Sequence, residues 1–221
     1  MKYCVGVDVG GTSVKLGIFE DTGRLIMKWS IPTRKDDGSA HLFEDIAESI
    51  NKKLADAKIS KDEVTGVGMG VPGPVLPDGY VEVCVNLGLK DRFPARELSA
   101  LMDGMPVKLS NDANIAALGE MWQGGGKGYD SICMVTLGTG VGGGIIHEGK
   151  IVNGTHGIAG EIGHMHVTDG EEEACNCGGH GCLEQYASAT GIVRVAKRKL
   201  AEGNVKSGLR AFGGKFSAKD V

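Results

Sequence analysis

His164 and the run Cys175-x-Cys177-x4-Cys182, closed by Glu184, gather one histidine and three cysteines into a short stretch of chain. Thiolate and imidazole are the ligands of closed tetrahedral zinc sites, and Gly178, Gly179 and Gly181 free the backbone to wrap an ion. The other use of such cysteines, a disulfide with a spare thiol, belongs to an oxidising compartment. No charged segment followed by an apolar stretch opens the chain, and Cys4, Cys84 and Cys133 stand alone in apolar runs. They read as small buried side chains of a reduced, cytoplasmic protein. His166 is a rival ligand, but it alternates with His164 along an expected strand and so faces the other way. A metal held by His164 and the cysteines would fix the two arms that carry Glu161 and Glu184. Carboxylates so placed can grip sugar hydroxyls.

Glycine carries a second chemistry. Residues 3–9 and 14–19 read as two strands joined by the tight turn Gly10-Gly11-Thr12, and the layout recurs as 131–137, Gly138-Thr139-Gly140 and 142–147. At one constant offset Val7, Gly10 and Ile18 match Val135, Gly138 and Ile146. Two hairpins whose tips expose backbone N–H groups imply facing lobes that clamp one anionic ligand. Asp8, beside the first tip, is placed to hold a magnesium ion on nucleotide phosphates, usually through water. Gly138, Gly140 and Gly143 also satisfy the dinucleotide pattern G-x-G-x-x-G, but that use needs a helix to start at the third glycine. A strand and a turn follow instead.

The elements between the hairpins are those of an α/β protein. Leu42, Phe43, Ile46, Ala47, Ile50 and Leu54 recur at helical spacing, predicting a helix over 39–57 with Ser39 as its N-cap. Residues 64–71 read as a buried strand ending in Pro72-Gly73-Pro74, a stiff loop that either lines a pocket or turns the chain. A short strand at 107–109 leads into Ser110-Asn111-Asp112 and a helix over 113–122. Asn111 or Asp112 can cap that helix. The position also puts a carboxylate at the C-terminal edge of a sheet, where open α/β folds bind ligands. There Asp112 can take the proton of a hydroxyl that attacks a nucleotide's terminal phosphate.

Composition narrows the class without naming the chemistry. The 221 residues are 41% hydrophobic and 24% charged, with a formal net charge of −4 and 37 glycines. Such a chain is globular, offers nucleic acid no basic footprint, and carries no apolar run long enough for a transmembrane span. Its one basic cluster, 194–199, is expected to form the solvated face of a helix.

Five segments together resemble the ROK family of repressors, open-reading-frame proteins and sugar kinases: 7–12, 111–114, 137–144, 160–164 and 175–184. The likeness runs in order from residue 3 to about 200 and is strongest to the bacterial glucokinases of that family. It implies an actin-like ATPase (ribonuclease H-like) fold, two α/β domains around a cleft with the second incomplete: 1–120 and 121–221. By position, Asp112 would be the catalytic base. Gly73, Asn111, Asp112, Glu161, His164 and Glu184 would bind a hexose, most simply glucose. Gly10, Gly11, Thr12, Lys15, Gly138, Thr139 and Gly140 would face ATP, with Asp8 toward Mg2+. His164, Cys175, Cys177 and Cys182 would hold a structural Zn2+, one ring nitrogen of His164 on the metal and the other on the sugar. N-acetylmannosamine, N-acetylglucosamine, mannose and fructose are the other sugars the resemblance allows. A sugar-sensing regulator would need a winged helix ahead of residue 8, where the sequence leaves no room.

Two departures accompany the likeness. The stretch 169–174, with glutamates at 171–173, is slightly long for the family and is expected to bulge into solvent. Chains of the family run to about 300 residues, in line with two full domains, and 216–221 resembles the start of a helix that continues. The adenosine platform and the rest of the second domain are expected beyond Val221, and a homodimer is expected of the longer chain.

Overall fold

The structure, a computed structural model, describes residues 2–203 and 206–221. Its larger sheet has five strands in the order β3-β2-β1-β4-β7. β1 (Tyr3–Val9), β2 (Ser13–Glu20) and β3 (Leu25–Pro32) form an antiparallel meander, while β4 (Val64–Val71) and β7 (Val107–Asn111) add in parallel beside β1. The two parallel strands bring their C-terminal ends, Val71 and Asn111, to the edge of the sheet where the first hairpin tip also lies.

Alternation decides which face is covered. Val5, Val7 and Val9 of β1 and Val14, Leu16 and Ile18 of β2 are buried, in one core with α2 (Leu42–Asp56) and α3 (Pro94–Leu101). All six apolar residues that define the helical spacing of α2 are buried. Ser39 does not cap α2. It is buried in the preceding short turn α1 (Asp36–Ser39), has φ +60°, and donates its hydroxyl to the carbonyl of Leu87. A short hairpin of β5 (Val81–Cys84) and β6 (Leu89–Arg92) interrupts the path from β4 to α3 and lends Leu87 and Leu89 to the core.

α4 (Asp112–Gln123) packs on both sheets, and the boundary expected after residue 120 falls within it. Beyond it β8 (Ile132–Leu137), β9 (Val141–His147) and β10 (Lys150–Ile151) form an antiparallel sheet with β8 at its edge. Gly144 explains the close fit: a Cβ there would lie 2.6 Å from both the Ala113 carbonyl oxygen and the Ala117 Cβ of α4. The two glycine hairpins do recur, but their tips differ by one residue. Val9 pairs with Val14 and Leu137 with Val141, so Ile18 faces Val5 whereas Ile146 faces Ile132. The offset that matched Ile18 to Ile146 therefore slips past the second tip.

Chain 152–183 is mostly loop, followed by α5 (Glu184–Ala187) and α6 (Ala189–Glu202). Residues 216–221, expected to begin a helix, form a turn in which Asp220 accepts from the backbone and hydroxyl of Ser217. Of the three isolated cysteines only Cys84 is buried; Cys4 is half-buried, and Cys133 is exposed because it shares with Val135 and Leu137 an exposed face of β8. Among the described residues no helix is long and apolar enough to cross a membrane.

Candidate active site

A cleft of about 1350 Å3 opens between the two sheets. Asp8, Gly73, Asn111, Asp112, Glu161, His164 and Glu184 line it, together with the second hairpin tip, Gly138, Thr139 and Gly140. An adjoining cavity of about 530 Å3 is lined by the first tip, Gly10, Gly11 and Thr12, with Lys35, Asn86 and Asp112. Asp112 belongs to both linings, so one carboxylate serves the space beside each tip. Lys15 stands outside these linings: it is exposed on β2 and pairs with Asp8 at 3.6 Å.

The start of α4 separates the roles of Asn111 and Asp112. Asn111 is the N-cap, with φ −60° and ψ 145°, and its Oδ1 accepts from the N–H groups of Ala113 (2.9 Å) and Asn114 (3.2 Å). Its Nδ2 donates to the Gly73 carbonyl at 3.1 Å, tying the Pro72-Gly73-Pro74 loop to the cleft floor. Asp112 is the first helical residue, where the orphan N–H groups favour an anion. Its Oδ1 accepts from the Ala113 N–H at 2.8 Å. Burial nonetheless pushes its pKa above the ordinary carboxylate value, with the charge of Asp8 adding to the rise and the Ala113 N–H opposing it. A carboxylate so raised is a stronger base than the ordinary aspartate expected from sequence.

The second tip is built into the far wall. Gly138 accepts from the Ala189 N–H and Thr139 from the Thr190 hydroxyl, each at 2.8 Å, so the tip rests on the start of α6. Glu184 Oε2 accepts from the Val141 N–H at 2.9 Å. Gly140 gives that carboxylate room, since a Cβ there would come within 2.2 Å of the same oxygen and displace it.

His164, Cys175, Cys177 and Cys182 present ligand atoms all within 4.8 Å of one another. Ligands about 2.0–2.3 Å from a tetrahedral zinc stand roughly 3.5–3.8 Å apart. Cys177 and Cys182 Sγ are 3.7 Å apart, and Cys175 Sγ lies 3.6 Å from His164 Nδ1. The sulfurs are unbonded to one another, and the donor set fits zinc in both type and spacing. His164 turns Nδ1 to this cluster and Nε2 toward Glu161 Oε2 at 3.8 Å, so its two nitrogens point to the cysteines and to a carboxylate of the cleft. His166 is excluded by its own bonds. Its Nε2 meets Asp169 at 2.9 Å and its Nδ1 the His180 carbonyl at 2.9 Å. The turn Ile162–His164 is a 3-10 turn, so strand alternation is not what separates the two histidines.

The expectations about charge next to the loop hold in part. Residues 169–174 are exposed except Glu171, whose side chain keeps only 4% exposure, and Lys197, Arg198 and Lys199 are exposed, but Arg194 and Arg198 pair with Glu171. The Tyr186 hydroxyl and then the Arg194 guanidinium hold the Glu171 carboxyl down to about 2. Sequence reasoning also missed Asn86, which lines both cavities from the turn Val85–Leu87. Its only signal is the Asn-Leu-Gly that ends an apolar alternation, with Gly88 at φ +67°.

The ROK family's sequence pattern matches residues 4–219. A glucokinase of Halalkalibacterium halodurans is 46% identical over 202 residues, which cover 91% of this chain and 61% of that protein. An N-acetyl-D-glucosamine kinase of Escherichia coli is 36% identical over 198 residues, covering 85% and 63%. The crystal structure of a ROK family glucokinase from Streptomyces griseus in complex with glucose and AMPPNP superposes with a TM-score of 0.69 at 34% identity, over 90% of this chain and 62% of that one. The chain thus spans somewhat over three fifths of the length of these relatives. Its mixed sheet, paired glycine hairpins and intervening cleft are those of the actin-like ATPase fold, and the chain belongs to the ROK family.

Proposed function

We propose that this chain carries the sugar site and the phosphate-binding hairpins of an ATP-dependent hexose kinase whose product from glucose is glucose 6-phosphate. The observation that carries the proposal is the placement of Asp112, a carboxylate whose pKa is raised by desolvation and which is shared by the spaces beside both glycine tips. A hydroxyl between Asp112 and the tips would attack the terminal phosphate of ATP and surrender its proton to Asp112 as the bond to phosphorus forms. Backbone N–H groups at the tips would receive the charge that builds on the transferred group. The lobes 1–120 and 121–221 supply one tip each.

Asn111, Glu161, His164 and Glu184 would orient the sugar, with Gly73 placed by its bond to Asn111. Magnesium, when bound, would neutralise the nucleotide phosphates, and the exposed carboxylate of Asp8 suits an ion that keeps most of its water. Zinc, when bound, would cross-link the loop that carries His164 and the cysteines. The match to an N-acetyl-D-glucosamine kinase supports a second reading, an N-acetylated hexosamine as acceptor. Coupled ADP release, measured over glucose, mannose, fructose and the N-acetylated hexosamines, tests both. Turnover of none of them would refute the kinase reading.

A further inference from the structure

The loop that carries the cysteines is fastened to α6 by a charged network that neither the metal cluster nor the cleft uses. Glu171, four residues before Cys175, accepts from Arg194 Nη2 at 3.0 Å, from Arg198 Nη1 at 3.1 Å and from the Tyr186 hydroxyl. Glu173 accepts from Arg194 Nη1 at 2.7 Å. Arg194 also donates to the Gln185 carbonyl at 3.0 Å, and its guanidinium lies 5.4 Å from the Tyr186 ring centroid. Gln185 completes the ring of contacts: it accepts from the Cys182 N–H at 3.0 Å and donates to the Glu173 carbonyl at 2.8 Å.

The contacts made by Glu171 and Glu173 share one geometry in the chain: one end sits just ahead of Cys175, and the other sits on α6 or on Gln185 and Tyr186, just after Glu184. We propose that Glu171, Arg194 and Arg198 are positioning residues, a latch that holds the two arms of the cysteine loop together and thereby retains the metal and keeps Glu184 in the cleft. The part concerning Glu184 rests on the hexose kinase reading; the part concerning the metal does not. Without the Glu171 carboxylate, Arg194 loses a buried counter-charge and Tyr186 a hydrogen-bond acceptor, and both losses fall on the loop. α6 itself keeps its N-cap, Ser188, whose hydroxyl accepts from the Gly191 N–H at 2.9 Å.

The test compares wild type with Glu171→Gln, Arg194→Gln, Arg194→Lys and Arg198→Gln, and with Lys199→Gln as a control on the exposed side of α6. Zinc release to a chromogenic chelator, glucose binding by calorimetry, AMPPNP binding and the melting midpoint are read for each. Partners outside the ligand set are worth about 10–100-fold in metal affinity. Glu171→Gln and Arg194→Gln should release zinc about tenfold more readily and weaken glucose by a similar factor, with AMPPNP changed less than about twofold. Arg194→Lys should recover part of both losses, and Lys199→Gln should show neither. A lowered melting midpoint with unchanged zinc release and glucose affinity would reduce the network to an ordinary stabilising contact and overturn the proposal. If Glu171→Gln fails to fold, Arg198→Gln, on the half-exposed rim, decides by the direction of its zinc shift. Wild type that binds zinc but no hexose would sink the kinase reading, and zinc release alone would then judge the latch; wild type that binds no zinc overturns the latch itself.

Discussion

Replacing Asp112 by Asn separates catalysis from architecture, because the cap of α4 belongs to its neighbour. Asn111 supplies the bonds to the Ala113 and Asn114 N–H groups, and an asparagine at 112 can keep the one remaining bond, from the Ala113 N–H, through its own carbonyl oxygen. The fold should therefore lose nothing. It should gain slightly, since burial and Asp8 raise the Asp112 pKa and so make its ionised form costly in the folded state. The sign follows from proton binding: with a folded value above the unfolded one of about 3.9, stability falls as pH rises from that value toward the folded pKa, and the amide removes this loss. Losing a positioned base costs about 10²–10⁴ in turnover, or roughly 3–5 kcal/mol of barrier. The assay is coupled ADP release on the full polypeptide the gene encodes, with glucose affinity and melting midpoint measured beside it. Turnover within a few-fold of wild type at unchanged glucose affinity would make Asp112 a spectator at a helix start. A melting midpoint several degrees lower would show instead that its charge supports the fold.

Cys177→Ser should remove zinc detectable by elemental analysis and raise the KM for sugar about 10–100-fold, well beyond any change in the KM for ATP; native protein purified without chelator and free of zinc would refute the metal assignment. Gly144→Val places a Cβ 2.6 Å from α4 atoms and should cost about 1–3 kcal/mol, seen as a lower melting midpoint in calorimetry. Glu171 is held to about 2 in the folded chain against an ordinary 4.5, so it contributes stability above that ordinary value that is lost as pH falls toward 2. Acid titration followed by circular dichroism should show that loss in wild type and a flatter profile in Glu171→Gln. Val135, half-exposed, and Leu137 lie on the open edge of β8, and Val135→Lys should reduce any self-association seen by light scattering.

The parts of the molecule legible in sequence were those whose signal is local and repetitive. α2 followed from six apolar residues at helical spacing, and β1, β4 and both glycine tips followed from apolar runs broken by glycine. The cysteine cluster followed from spacing alone, because ligands so near in chain have few ways to face apart. What sequence missed depended on distant partners. Ser39 looks like a cap until Leu87, far along the chain, is found to receive its hydroxyl. Glu171 looks solvated until Arg194 and Arg198 arrive from α6, and Cys133 looks buried until the face of β8 that carries it proves exposed. The one-residue difference between the two hairpin tips is invisible to an alignment at constant offset, which absorbs it without penalty.

The bond from the Val141 N–H to Glu184 Oε2 gives one carboxylate two masters. It belongs to the wall expected to bind sugar and also anchors the strand that leaves the second phosphate tip. Within the proposed kinase, a sugar hydroxyl that competes for Oε2 changes the energy of that anchor, so the two ligands cannot bind independently. Thermodynamic reciprocity then fixes the relation: whatever factor glucose applies to nucleotide affinity, nucleotide must apply to glucose affinity.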